Sequence, residues 1–165
     1  MKTYETIQQK IFDLASLEKQ LTIWKFLGKK IVFTNGCFDI LHLGHIDYLA
    51  KAADEGDILI IGVNTDRSTA ALKGPHRPIN HELQRMMILA SLHFTNAVIL
   101  FDEETPYELI RMVQPDVLIK GGDYKPEKIV GYDLVTSKGG KVKTIEFLAG
   151  YSTTGIEEKI VKSRK

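Results

Sequence analysis

FTNGCFDILHLGH, residues Phe33 to His45, decides how this chain folds. It starts inside the short apolar run Ile31-Val32-Phe33, passes through the turn pair Asn35-Gly36 and enters a segment with helical spacing. A strand that turns tightly into a helix is the opening unit of a parallel α/β sheet. Where the strand ends, the stretch sets His42 and His45 three residues apart, with Gly44 between them.

Working outward, the same alternation repeats. Ile58 to Asn64, Ala97 to Phe101, Val117 to Lys120 and Val142 to Phe147 have strand lengths and are rich in Val and Ile. Between the first two strands, HIDYLAKAADEG puts Ile46, Leu49, Ala50 and Ala53 on one helical face, with Gly56 as its stop. Asn80 is placed to cap a helix whose apolar face is Leu83, Met86, Met87 and Ala90. Thr105-Pro106-Tyr107-Glu108 reads as a capping box with proline at the first helical position, and Pro115 marks the far end. Strand, helix and strand in succession imply right-handed crossovers. The fold class is therefore α/β, a doubly wound open parallel sheet of about five strands, Rossmann-like in plan. Before it, Ile7, Ile11, Leu14, Leu17, Leu21 and Trp24 recur every three or four residues, which predicts a helical extension over 1–28 ahead of a main domain at 29–165.

With 165 residues, 44% of them hydrophobic, the chain suits one well-buried domain. Its 22 basic and 21 acidic residues offer no polycationic surface, which points away from nucleic acid and toward small-molecule partners. The longest apolar run, Ile58 to Val63, is far short of the roughly 20 residues of a membrane-spanning helix. MKTYETIQQK lacks the apolar core of a secretory signal, and the single Cys37 agrees with a reducing cytoplasm.

Three readings of the histidine pair compete. Core imidazoles would be satisfied by local hydrogen bonds. Zinc ligands on a helix usually stand four apart around a general-base glutamate, whereas Leu43 and Gly44 fill this gap. In a phosphate site, Gly36 permits a tight turn with outward N–H groups and Gly44 allows close approach of a ligand. The following helix would present its positive end to the anion. Open sheets bind ligands beyond the carboxyl ends of their strands, which is where this stretch lies.

NGCFDILHLGH resembles the signature of the cytidylyltransferase-like nucleotidyltransferases, with His42-Leu43-Gly44-His45 as its HxGH motif. Far down the chain, Gly150-Tyr151-Ser152-Thr153-Thr154 resembles the ISTT-type motif of the same superfamily. The residues from about Lys30 to about Lys159 are most similar to the bacterial heptose 1-phosphate adenylyltransferases, which also share likenesses of LKGPHRPIN and IKGGDYKPEKIVG. That group occurs fused to a sugar kinase or alone, and this length would correspond to the stand-alone form. Glycerol 3-phosphate and phosphoethanolamine cytidylyltransferases usually carry an arginine where this chain has Phe147. The pantetheine-phosphate and nicotinamide-mononucleotide enzymes typically have proline where it has Ile40. Class I aminoacyl-tRNA synthetases share the histidine motif, but their lysine-rich second signature is missing.

The resemblance implies transfer of AMP from ATP to a heptose 1-phosphate, with Mg2+ as cofactor and a homo-oligomeric protein. It assigns phosphate contacts to His42, His45, Lys73 on a mobile loop, and Arg85. Nucleotide contacts fall to Asn35, Gly36, Cys37, Phe38, Asp39, Gly44, Gly121, Asp123, Tyr151, Ser152, Thr153 and Thr154, with no protein metal ligand assigned. Simpler readings stand beside these. Asn35 and Asp39 suit turn chemistry, Cys37 suits packing, Gly121-Gly122 suits a plain turn, and Thr154 with Glu157 has capping-box spacing. Glu157 also stands where an aliphatic residue is expected. Two other functions remain open: a cytidylyltransferase acting on glycerol 3-phosphate or a similar phospho-alcohol, and a non-catalytic nucleotide-binding or sensing module. His76, His81 and His93 join no constellation.

Overall fold

The computed structural model of the chain describes residues 2–163. In chain order its elements are α1 (Thr3–Gln8), β1 (Ile11–Phe12), α2 (Leu14–Phe26), β2 (Ile31–Gly36), α3 (Leu43–Ala53), β3 (Ile58–Asn64) and α4 (Asp66–Lys73). There follow α5 (Glu82–Ser91), β4 (Ala97–Phe101), α6 (Tyr107–Val113), β5 (Val117–Gly121), a 3-10 turn (Pro126–Lys128), α7 (Tyr132–Thr136), β6 (Lys141–Ile145) and α8 (Thr153–Ser163).

All paired strands are parallel, in one six-stranded sheet of order β1-β4-β3-β2-β5-β6. From β2 the chain first builds to one side, through β3 and β4, and then crosses to the other for β5 and β6. The strand order reverses between β2 and β5, and that reversal opens a crevice at their carboxyl ends. The central strands are largely apolar because both faces of the sheet are covered there, whereas the edge strand β6, Lys141–Ile145, alternates lysines with apolar residues and has no buried position. Ile31 and Phe33 enter a core with Leu17, Leu21, Leu109 and Val113. Val32, pointing the other way, joins Tyr48, Leu49, Met86 and Leu89.

Several expectations need correction. The sheet has one strand more than the five expected, because the 1–28 segment is not wholly helical. Ile11 and Phe12 form β1, in register with Val98 and Ile99 of β4, and the Val98 N–H donates to the Lys10 carbonyl at 2.8 Å. The cause is local: the Asp13 carboxylate accepts the Ser16 N–H at 2.7 Å, which starts a new helix and leaves the preceding residues extended. Asn80 does not cap α5. His81 holds that position, and the Asn80 amide donates to the Asp39 carbonyl at 2.6 Å instead. Pro106, not Thr105, is the residue before α6, which begins at Tyr107 without a side-chain cap. Lys73 lies at the last position of α4 rather than in a loop, with Gly74 following at φ +102.

Candidate active site

The crevice begins where β2 and β5 end side by side. Lys120, near the end of β5, donates to the Asn35 side-chain oxygen at the end of β2, at 3.5 Å. Beyond Gly36 the chain makes a tight loop through buried Cys37, Phe38 and Asp39. Phe38 adopts φ +50, a left-handed conformation uncommon for an aromatic residue. Its ring lies against Gly36 and meets the His45 ring edge-on at 5.6 Å.

Asp39 anchors a second segment to this loop. Its carboxylate accepts the Ile79 and Asn80 N–H groups at 2.8 Å and the Arg77 guanidinium at 2.6 Å. Burial alone would raise this carboxyl, but donation from Asn80, Ile79 and Arg77 outweighs it and holds the group below the usual carboxylate range. Arg85 is fully buried and has no surface to offer a phosphate. It donates to the Cys37 carbonyl (2.6 Å), the Asn80 carbonyl (3.0 Å) and the Asp66 carboxylate (2.9 Å), so it positions the loop from beneath. This corrects its assignment to direct phosphate contact.

His42 is the residue before α3, and its carbonyl accepts the His45 N–H at 2.9 Å. That single turn stacks the two imidazoles with centroids 3.9 Å apart. Desolvation first, then the charges of His42 and Lys73, pulls His45 down to about 4; burial also lowers His42. Both rings are therefore neutral at pH 7. Each has a buried Nδ1 without a hydrogen-bond partner among the described residues.

The second motif lies against the first. A Cβ on Gly44 would stand 3.2 Å from the Tyr151 Cβ and 3.1 Å from His42 ring atoms, so only glycine lets the tip of α3 approach this closely. Tyr151, Ser152 and Thr154 are exposed and Thr153 half-buried at the start of α8. The cap is Ser152, whose hydroxyl accepts the Gly155 N–H at 3.0 Å; the capping role expected of Thr154 and Glu157 is not observed. Glu157 instead forms an ion pair with Arg77, the residue already bound to Asp39. Asp39, Arg77 and Glu157 thus tie the β2 loop to α8.

Gly121, the last residue of β5, and Gly122 after it form a platform without side chains, but the close approach they allow is taken by the Phe147 ring: a Cβ on Gly121 would lie 2.5 Å from it. Asp123 is exposed beside this platform. Sequence reasoning missed Arg77 and Lys120. Lys120 stands at the end of a strand, where its charge next to the strand end was the available signal; Arg77 lies between α4 and α5, within LKGPHRPIN, and had only that segment's family likeness to mark it.

A parallel sheet whose switch point is flanked by two adjoining helix N-termini, one with stacked imidazoles and one with exposed hydroxyls, defines an α/β domain of the kind that binds ligands beyond its strand ends. The chain belongs to the cytidylyltransferase-like family, whose model matches residues 33–159. It is 52% identical over 153 residues to the bifunctional protein HldE of Wolinella succinogenes, a match covering 93% of this chain and 31% of that protein. Against HldE of Campylobacter jejuni subsp. jejuni serotype O:6 it is 53% identical over 147 residues, covering 89% and 31%. The chain thus spans about a third of the length of these curated relatives. Among solved structures, a lipopolysaccharide core biosynthesis protein from Thermoplasma volcanium is 31% identical with TM-score 0.58, covering 73% of this chain and 98% of that one. Pantoate-beta-alanine ligase from Francisella tularensis, 21% identical, shares the fold at TM-score 0.58 over 94% of this chain and 79% of its own.

Proposed function

We propose that the chain is a nucleotidyltransferase that moves AMP from ATP to D-glycero-β-D-manno-heptose 1-phosphate. The products are ADP-heptose, for lipopolysaccharide or surface-sugar synthesis, and pyrophosphate. The observation that carries the reading is the contact between the tips of α3 and α8, which lets imidazoles and hydroxyls address one triphosphate. The choice of heptose rests on the family likeness and on the HldE relatives.

In the reaction, an oxygen of the sugar phosphate attacks the α-phosphorus of ATP, and the bond to the bridging oxygen breaks with its electron pair leaving on pyrophosphate. The nucleophile is already ionised near neutral pH, so the protein needs no general base and no covalent intermediate; it has to align two polyanions and neutralise charge. His42 and His45 donate to phosphoryl oxygens as neutral imidazoles, and the α8 N–H groups with Ser152, Thr153 and Thr154 hold the triphosphate from its other side. Lys73, exposed at the end of α4 and close enough to lower the His45 pKa, supplies the positive charge. Tyr151, Asp123 and the Gly121 platform border the nucleoside.

Among the described residues no three His, Cys, Asp or Glu side chains converge as a metal cage, and Asp39 is fully engaged. A Mg2+ bound together with the nucleotide would offset negative charge in the transition state. The proposed compartment is the cytoplasm and the proposed assembly a homo-oligomer, which light scattering in solution tests. No described helix is long and apolar enough to cross a membrane.

Incubation with ATP, Mg2+ and the heptose phosphate is expected to release pyrophosphate. Turnover only with CTP and glycerol 3-phosphate would replace this reading with the cytidylyl one. Tight ATP binding without pyrophosphate release from any sugar phosphate would replace it with a sensing module.

A further inference from the structure

We infer that Lys120 is the receptor for the phosphate monoester of the acceptor, in a cavity separate from the helix tips that face the triphosphate. The identity of that anion rests on the nucleotidyl-transfer reading above; the existence of an anion site does not.

The cavity, about 340 Å³, lies where β2, β3, β4 and β5 end, and Asn35, Cys37, Asn64, Lys120, Glu104 and Lys128 are among the residues that line it. Its size falls within the roughly 300–1,000 Å³ typical of small-molecule sites. Neither His42, His45 nor any residue of 151–154 lines it. Asn35, Gly36 and Cys37 line it and lead straight into the histidine loop, so an acceptor held here would meet the nucleotide at the end of β2. An in-line displacement needs the two brought together, with the nucleophile entering opposite the leaving group.

Lys120 is a partly buried cation whose charge is not answered. Its one hydrogen bond runs to a neutral oxygen, that of Asn35, and among the described residues it enters no ion pair. The buried or nearly buried arginines contrast with it: Arg85 has Asp66, and Arg77 has Asp39 and Glu157. Holding an ammonium out of water without a carboxylate partner is costly, and burial lowers the Lys120 pKa, against a smaller opposing effect of neighbouring Cys37. A dianionic monoester entering the cavity would reverse that cost and bring the ammonium its missing partner. Glu104 and Thr105 also line the cavity and carry oxygens suited to sugar hydroxyls, and Lys128 adds a second positive charge to its lining.

The direct test needs no variant. The Lys120 side-chain NMR signal is titrated with pH in the free protein, alone, with inorganic phosphate, and with chloride at matched ionic strength. Phosphate is expected to move the titration to higher pH while chloride does not; no movement, or equal movement with chloride, overturns the inference. In kinetics, Lys120→Met is expected to raise KM for the sugar phosphate about 10- to 100-fold, the range of one charge-assisted hydrogen bond, with KM for ATP within about twofold. An unchanged sugar phosphate KM in a folded variant overturns it as well. If Lys120→Met fails to fold, the phosphate titration decides. Failure of the nucleotidyl-transfer reading would abolish pyrophosphate release yet leave the phosphate response of Lys120. Failure of the present inference would remove that response and leave turnover intact.

Discussion

His45 is set up to act as a neutral imidazole, with a single N–H to donate. Desolvation, the stacked His42 and the approach of Lys73 all disfavour its charged form, so Lys73 can approach the same phosphates without repulsion from an imidazolium. An NMR titration of the free protein is expected to place its midpoint near 4. The linkage follows in sign. Because the folded state resists a proton that the unfolded chain accepts at about 6.5, stability is complete above that pH and falls as pH drops toward 4, where the folded state also protonates. Urea unfolding at several pH values is expected to show that decline, and His45→Ala to lessen it. In turnover, loss of one donor aimed at developing charge is expected to lower kcat about 100- to 1,000-fold while ATP affinity changes far less. The histidines were legible in the sequence because their chemistry sits in a local motif. Arg85 was misread for the opposite reason: its partners, the Cys37 carbonyl and Asp66, are distant in sequence and only the fold brings them together.

Between elements, the contact that matters is the one joining the β2 loop to α8. Arg77 serves two carboxylates, Asp39 beneath it and Glu157 on the helix, so the tip of α8 is held at a fixed place relative to His42 and His45. Glu157 is partly exposed, and such a pair contributes on the order of 1 kcal/mol. Glu157→Ala is therefore expected to raise KM for ATP about fivefold, to leave kcat within about twofold, and to speed hydrogen exchange at the amides of α8. Unaltered exchange and KM would mean the pair holds nothing. The sequence marked Glu157 as out of pattern without revealing why, since its partner lies eighty residues earlier. The cap of α8 was misplaced because Ser152, Thr153 and Thr154 offer consecutive hydroxyls, each with a plausible frame. The helix α4 gave no signal because it buries Ser68 and Thr69 and has no apolar stripe.

At the scale of the molecule, β2, β3, β4 and β5 were legible because a strand covered on both faces must be apolar throughout, and the six or seven residues of β2 and β3 suffice to show it. β1 was not, since its two residues also fit a helical repeat and only pairing with β4 makes them a strand. That pairing changes what the first 28 residues do. Leu17 and Leu21 of α2 are buried in the same core as Ile31, Phe33 and Leu118, and Trp24 packs against that core with its ring edge-on to Phe12 at 6.2 Å. We therefore propose that 1–28 and 29–165 unfold together, despite the composition break at Gly28-Lys29-Lys30. Leu17→Ala removes a fully buried side chain and is expected to cost about 2–5 kcal/mol in urea denaturation. Trp24 is the only tryptophan, so its fluorescence reports on α2 while far-UV circular dichroism reports on the whole sheet. The two transitions are expected to coincide in the parent chain and to shift together in the variant. A fluorescence change at lower urea than the circular dichroism change would make the N-terminal segment a separate unit resting on the sheet.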